Sequence, residues 1–135
     1  MPLKIIKTTW NDRLVVTVPL ENELIKRVML DEKSFNELLA RGIPLPWRHY
    51  KRRVMVHNND RYFTLARLIT DAGPGHSVEY LDGDPFNLCM PNLVVTRKAT
   101  SKHHDWDLIK PTNFDRSQLV YEVIPGKITI EHFKF

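Results

Sequence analysis

The sequence predicts a single α+β domain built from short antiparallel hairpins and short helices. Three pairs of apolar, alternating segments are separated by turn-forming residues, at 11–12, at 57–60 and at 125–126. One stretch, 32–40, has its apolar residues at helical spacing instead. At 135 residues, with 42% hydrophobic content, the chain has the length of one domain and enough apolar side chains for an ordinary core.

Composition excludes several classes of protein. No apolar run approaches the ~20 residues of a membrane helix, and no basic-then-apolar signal pattern opens the chain, so we expect a cytoplasmic protein with no membrane partner. The single cysteine, Cys89, excludes an internal disulfide and a multi-cysteine zinc site. We expect it to be a small buried side chain, because no basic residue or helix start adjoins it to activate the thiol.

The N-terminal part, 1–42, is predicted to be an accessory hairpin and helix. Residues 3–18 form the hairpin, since Asn11 and Asp12 tolerate the left-handed conformation of tight turns. Residues 21–30 fit both a helical turn and an extended strand. The helix is expected at 32–40, with Asp31 as N-cap and Gly42 ending it.

The remaining elements are predicted from turn residues and alternation. A second hairpin pairs 51–56 with 61–65, and a short helix follows at 65–69. Strands at 78–81 and 93–96 flank an acidic turn and a long loop. Residues 97–110 are expected to be helical, and 118–135 is predicted to be a C-terminal hairpin that turns at Pro125 and Gly126.

The distribution of charge indicates a polyanionic partner. The net charge is only +4, but residues 41–67 contain seven Lys or Arg against one acid, Asp60. A second basic cluster lies at 97–104. Such clusters are typical of nucleic-acid binding, although charge alone leaves a solvated basic face as the alternative.

Three segments resemble the HNH endonucleases of phages and mobile elements. They are Val-x-Leu-Asp-Glu-x-x-Phe-x-x-Leu at 28–38, Leu-Ala-Arg-Leu-Ile at 65–69, and Val-Glu-Tyr-Leu-Asp-Gly-Asp-Pro-Phe-Asn-Leu at 78–88, which ends in Pro-Asn-Leu at 91–93. The resemblance covers about half of the chain. It implies a ββα-metal unit, in which a hairpin and a following helix surround one divalent cation, within a core at approximately 47–110.

The resemblance also implies roles for individual residues. In the family an acid binds the metal, the next residue is a His that serves as base, and an Asn opening the second strand ties the loop and orients that His. Here Glu79 holds the acid position and Asn92 the Asn position, but Tyr80 replaces the base. A phenol has a pKa near ~10 and is a poor base at neutral pH. The last ligand falls near Ser101, and His103 and His104 are the nearest replacements.

The expected function is therefore nucleic-acid binding, with double-stranded DNA as partner, no cofactor and impaired catalysis. The side chains expected to contact phosphates are Arg52, Arg53, Arg61, Arg67, Arg97, Lys98 and Lys102. For Arg67 an ion pair with Asp82 or Asp84 is the alternative.

Two other functions stay open at this stage. One is an active metal-dependent nicking or cleaving endonuclease, with Mg²⁺ held by Glu79 and by His103 or His104. The other is a phage or mobile-element protein that binds and inhibits a host protein. A homodimer that pairs the terminal strand, 127–133, also stays open.

Overall fold

The computed structural model describes residues 3–97 and 102–127 and confirms an α+β fold with short antiparallel hairpins. Its strands form sheets of four, three and two strands. Three short α-helices in the described residues lie between and beside them. No helix in the described part of the chain is long and apolar enough to cross a membrane.

The four-stranded sheet begins with a meander of β1 (Leu3–Trp10), β2 (Arg13–Leu20) and β3 (Glu23–Asp31). The predicted hairpin is confirmed, since Asn11 and Asp12 have φ of 50° and 60° in the β1–β2 turn. The ambiguous segment is the strand β3. Both faces of this strand are covered: Val28 and Leu30 belong to the main core, while Met29 packs with Val15 and Cys89.

The fourth strand of this sheet, β9 (Leu119–Lys127), lies parallel to β1. The predicted turn at Pro125 and Gly126 is wrong, because the strand continues to Lys127. An irregularity in the pairing between Lys7 and Thr9 occurs at this point of the ladder, and an edge or bulge is where a sheet accepts proline. The second arm of the predicted C-terminal hairpin, 128–135, lies outside the described residues.

Helix α1 (Glu32–Ala40) has the predicted bounds and buries the predicted stripe of Phe35, Leu38 and Leu39. Asp31 occupies the N-cap position but does not cap the helix. Its carboxylate instead accepts hydrogen bonds from Arg13 Nε at 2.8 Å and from the Met90 amide at 2.9 Å.

The three-stranded sheet contains β4 (Arg48–Tyr50), β5 (Arg53–Asn58) and β6 (Arg61–Thr64), and α2 (Leu65–Thr70) follows it. The β5–β6 hairpin and α2 confirm the prediction. Strand β4 was not predicted. It joins β5 through Lys51 and Arg52, two residues that were expected to begin a strand and instead form a tight turn.

The two-stranded sheet contains β7 (Ser77–Tyr80) and β8 (Leu93–Thr96), which confirms the strands predicted around the acidic loop. The helix predicted at 97–110 is wrong, because only α3 (Asp105–Leu108) is helical among its described residues. The backbone of Lys110 is held in a different way: its amide donates to Asn58 Oδ1 at 2.7 Å and its carbonyl accepts from Asn58 Nδ2 at 2.8 Å. Residues 98–101 lie outside the described part.

The core joins the sheets and helices around Trp47, which is fully buried and contacts the Phe35 ring edge-on at 6.0 Å between centroids. The indole Nε1 donates to the Pro44 carbonyl at 2.9 Å, so the ring is buried with its polar atom satisfied. Phe86 is also buried, and Trp106 packs at the edge of the core.

Gly42 is the point where the segment after α3 contacts the end of α1, and we expect Gly42→Ala to destabilise the fold by roughly 2–5 kcal/mol. Its φ is +90°, and a Cβ would lie 2.5 Å from Pro111 Cβ and 2.9 Å from the Thr112 amide nitrogen. Urea unfolding monitored by tryptophan fluorescence measures the loss.

Two other glycines separate the effect of the positive φ from the effect of the contact with Pro111. Gly75 has φ +76° but open space around it, so Gly75→Ala should cost only about 1 kcal/mol. Gly73 has neither constraint, and its replacement by Ala should change the free energy of unfolding by less than ~0.5 kcal/mol. Equal losses at Gly42 and Gly75 would contradict a role for the contact with Pro111.

Candidate nucleic-acid interface

The loop between β7 and β8 is held by side chains rather than by a strand ladder. Asn92 is buried, and its Oδ1 accepts from the Asp82 amide at 3.0 Å. Its Nδ2 donates to Asp82 Oδ1 and to the Asn87 carbonyl, both at 2.9 Å. The position that the resemblance assigns to loop tying therefore has the contacts for that role.

Asp82 is the acceptor at the centre of this loop. Besides Asn92, its carboxylate accepts from the Asp84 amide at 2.8 Å and from Asn87 Nδ2 at 3.0 Å. The next turn repeats the pattern, since Asp84 Oδ1 accepts from the Phe86 amide at 3.0 Å. Such local bonds from Asp and Asn to the backbone fix a loop conformation.

The fixed loop is docked on β3. The Met29 amide donates to the Phe86 carbonyl at 2.8 Å, and the Leu88 amide donates to the Met29 carbonyl at 2.7 Å. Next to this contact Cys89 is fully buried, which confirms the prediction, and burial raises the pKa of its thiol from 9.0 to about 12. This thiol is protonated at neutral pH.

The two motif residues of β7 point in opposite directions. Glu79 is exposed and lies opposite Val94, whereas Tyr80 is half-buried, lies opposite Leu93 and packs against the core. Burial raises the pKa of Tyr80 above 10.0, and Arg53 offsets part of this shift. The phenolate, which is the form able to accept a proton, is thus even less populated at neutral pH than in an exposed tyrosine.

The histidines are placed as follows. His104 Nε2 lies 2.7 Å from Asp71 Oδ1, and the His76 ring contacts the Pro74 carbonyl at 2.9 Å. His103 is exposed. Within residues 3–97 and 102–127, no three His, Cys, Asp or Glu side chains come together as a metal site, so Glu79, His103 and His104 do not form such a group there.

A cavity of about 400 Å³ opens between the β4–β5 turn and β7, and we call it the basic cavity. Its lining contains four cationic side chains, three hydroxyl groups and one aliphatic residue, namely Lys51, Arg52, Arg53, Arg67, Thr64, Ser77, Tyr80 and Val78. Among the described residues no acid lines it. The arrangement provides positive charge and hydroxyl donors, which suit an anion.

The four cations of the basic cavity are not equally available. Arg67 Nε pairs with Asp105 Oδ2 at 3.0 Å, and its guanidinium also donates to the carbonyls of His76, Ala72 and Gly73. The alternative role of Arg67, an ion pair, is therefore present, but its partner is Asp105 instead of Asp82 or Asp84. Lys51, Arg52 and Arg53 are exposed, so they supply the accessible charge.

The other predicted contact residues lie elsewhere. Arg61, Arg97 and Lys102 are exposed but do not line the basic cavity. Lys98 lies outside the described residues. Within the basic cluster of 41–67, Arg41 is also engaged, because its guanidinium stacks on the Trp106 ring at 3.4 Å from the centroid.

Sequence reasoning missed two features of this region. It counted Lys51 among the basic residues without selecting it, because nothing in a Lys-Arg pair signals a tight turn. It also gave no role to Tyr50 and Tyr62, although each adjoins a basic residue in the sequence, Lys51 and Arg61 respectively.

Comparisons with protein-family models, with curated proteins and with solved structures find no match.

Asn92→Ala should destabilise the protein by roughly 2–4 kcal/mol, because it removes the hydrogen bonds of a buried side chain to the Asp82 amide and the Asn87 carbonyl. Urea unfolding measures the loss, with Asn36→Ala on the exposed side of α1 as control. Asn36→Ala should change the free energy of unfolding by no more than ~0.5 kcal/mol. An equally small effect of Asn92→Ala would show that the loop does not depend on this side chain.

Proposed function

We propose that this protein binds nucleic acid by holding backbone phosphates at the basic cavity. The observation that carries the proposal is the run Lys51-Arg52-Arg53, three consecutive exposed cations that line one cavity with no acid beside them in the described residues. Phosphate contacts of this kind supply most of the sequence-independent affinity for nucleic acids. Double-stranded DNA is the form that the HNH resemblance implies.

Backbone strain at the same place supports this proposal. Lys51 and Arg52 have φ of 47° and 63°, the left-handed region that Asn and Gly tolerate and long side chains disfavour. The equivalent turn between β5 and β6 uses Asn59 and Asp60, which suit it better. Strained residues that persist at a tight turn are a sign of function, and here both carry the charge that a phosphate needs.

The HNH resemblance supports the proposal through the fold of β7, the following loop and β8, which we call the frame. It does not extend to the chemistry of cleavage. The loop tied by Asn92 supports the frame. The half-buried phenol of Tyr80, with its raised pKa, argues against proton abstraction at the position of the base. We therefore propose a protein that binds DNA and does not cleave it.

The double variant Lys51→Asn/Arg52→Gly tests binding and strain together. Asn-Gly is the preferred pair for a turn with two positive φ values. Relief of the strain should exceed the entropy cost of the new glycine, so the variant should be more stable by about 1 kcal/mol. It should also bind a fluorescein-labelled duplex more weakly. The slope of log affinity against log salt should fall by about 2, because two phosphate contacts are lost.

A matched control removes two exposed charges elsewhere. Lys33→Gln/Arg116→Gln changes the net charge by the same amount but alters α1 and the segment before β9. Its affinity and salt slope should stay near those of the unaltered protein. If both double variants weaken binding equally, net charge and not the basic cavity determines affinity, and the proposed site is wrong.

Cleavage is tested separately with supercoiled plasmid and Mg²⁺ or Mn²⁺. We expect no metal-dependent nicking above that of the Glu79→Ala variant, because Tyr80 cannot act as a base at neutral pH. Nicking that Glu79→Ala abolishes would favour the alternative of an active endonuclease with a rearranged site.

A further inference from the structure

The side of the β4-β5-β6 sheet that faces away from the core carries an unusual set of side chains. Alternation buries Val54, Val56 and Phe63 on the inner side. The cross-strand pairs Arg48↔Met55, Tyr50↔Arg53 and His57↔Tyr62 therefore share the opposite side. We call this side the outer face, defined by Arg48, Tyr50, Arg53, Met55, His57 and Tyr62.

Both tyrosines of the outer face are exposed, Tyr50 by 57% and Tyr62 by 55%. They come from the two edge strands of the sheet, β4 and β6. They line one cavity of about 470 Å³ together with Arg48 and Met55. Single exposed aromatic residues are ordinary. Here two exposed tyrosines share a cavity whose volume lies within the ~300–1,000 Å³ range of ligand pockets. Together they form a surface onto which a planar group can pack.

Each tyrosine ring has a cationic or aromatic neighbour. Lys51 Nζ lies 5.3 Å from the centroid of the Tyr50 ring, and the His57 and Tyr62 rings are 5.0 Å apart. Residues 48–64 contain five Lys or Arg and the single acid Asp60. Aromatic rings beside cations on a sheet face suit unpaired bases whose phosphates are neutralised nearby.

The outer face is continuous with the basic cavity. Arg53 belongs to the outer face and also lines the basic cavity. Thr64 lines the basic cavity, whereas Met55, its cross-strand partner, lines the cavity between the tyrosines. A bound nucleic-acid strand can thus contact the basic cavity and the outer face together without passing over a β-strand between them.

A protein partner is the competing occupant, since Tyr, Met and Arg are also enriched in protein interfaces. Charge decides between them. Five cations against one acid along 48–64 complement a polyanion, whereas a protein partner would have to present a matching acidic surface.

We propose that the outer face is a stacking platform for unpaired bases, with Tyr50 and Tyr62 as the residues that contact them. The inference rests on the proposed function and deepens it: the basic cavity holds phosphates, and the outer face selects strands whose bases are free to stack. Base-paired DNA buries its base faces within its own stack and cannot use this surface.

The test compares three fluorescein-labelled probes of one length: a mixed-sequence single strand, an abasic single strand of equal charge, and a duplex. The unaltered protein should bind the mixed-sequence strand at least ~5-fold more tightly than the abasic strand. Tyr50→Leu/Tyr62→Leu should remove this difference and leave the affinities for the abasic strand and the duplex unchanged. Tyr50→Phe/Tyr62→Phe should keep it, because the ring stacks without its hydroxyl group.

The possible outcomes separate the two proposals. No salt-dependent binding of any probe would overturn the proposed function and this inference with it. Equal binding of mixed-sequence and abasic strands, or a loss of duplex binding in the Leu variant, would overturn the inference and leave the proposed function standing. Self-association of the protein in sedimentation experiments, abolished by the Leu variant, would assign the outer face to a second copy of the chain and also overturn it.

Discussion

The arrangement of this protein depends on the need to satisfy the polar groups of the loop between β7 and β8. The loop has no strand ladder of its own, so side chains must supply the partners that its backbone lacks. The Asp82 carboxylate accepts from the Asp84 amide, and the Asp84 carboxylate accepts from the Phe86 amide. The Asn92 side chain bonds the Asp82 amide and the Asn87 carbonyl. Because the loop is then fixed, its backbone at Phe86 and Leu88 can pair with Met29 of β3. The loop follows β7, which packs Val78 and Tyr80 against the core and supplies one wall of the basic cavity.

Elements whose sequence signals lie within the element itself could be predicted from the sequence. Helix α1 carries its own apolar stripe and a terminating Gly42, and the β1–β2 and β5–β6 turns carry Asn and Asp. Strand β4 carries no such signal, since its three residues are defined by pairing with β5. The non-helical backbone at Lys110 is held by the side chain of Asn58, which is 52 residues away in the sequence. The residues next to Lys110 in the sequence therefore do not reveal its conformation.

The charged residues of the candidate site show the same difference between what the sequence predicts and what only the tertiary structure determines. The sequence identifies a basic cluster but not which of its members are available. Arg67 is neutralised by Asp105, 38 residues away, and Arg41 is stacked on Trp106. Lys51 and Arg52 are available because a tight turn presents them, and that turn has positive φ at both residues. Sequence composition predicts the sign of a partner's charge, whereas tertiary structure determines where that partner can bind.

The position of the β4–β5 turn links the two proposed surfaces. Tyr50 precedes the turn and faces Arg53, which follows it, while Lys51 and Arg52 lie at its tip. A nucleotide consists of a charged phosphate and a planar base, and its two parts require cations and an aromatic ring at close range. One turn therefore brings both kinds of group together within four consecutive residues, 50–53. A less strained turn such as Asn-Gly would preserve the fold but would remove the cations, so the strain has a physical rationale only if the charges at this turn are used.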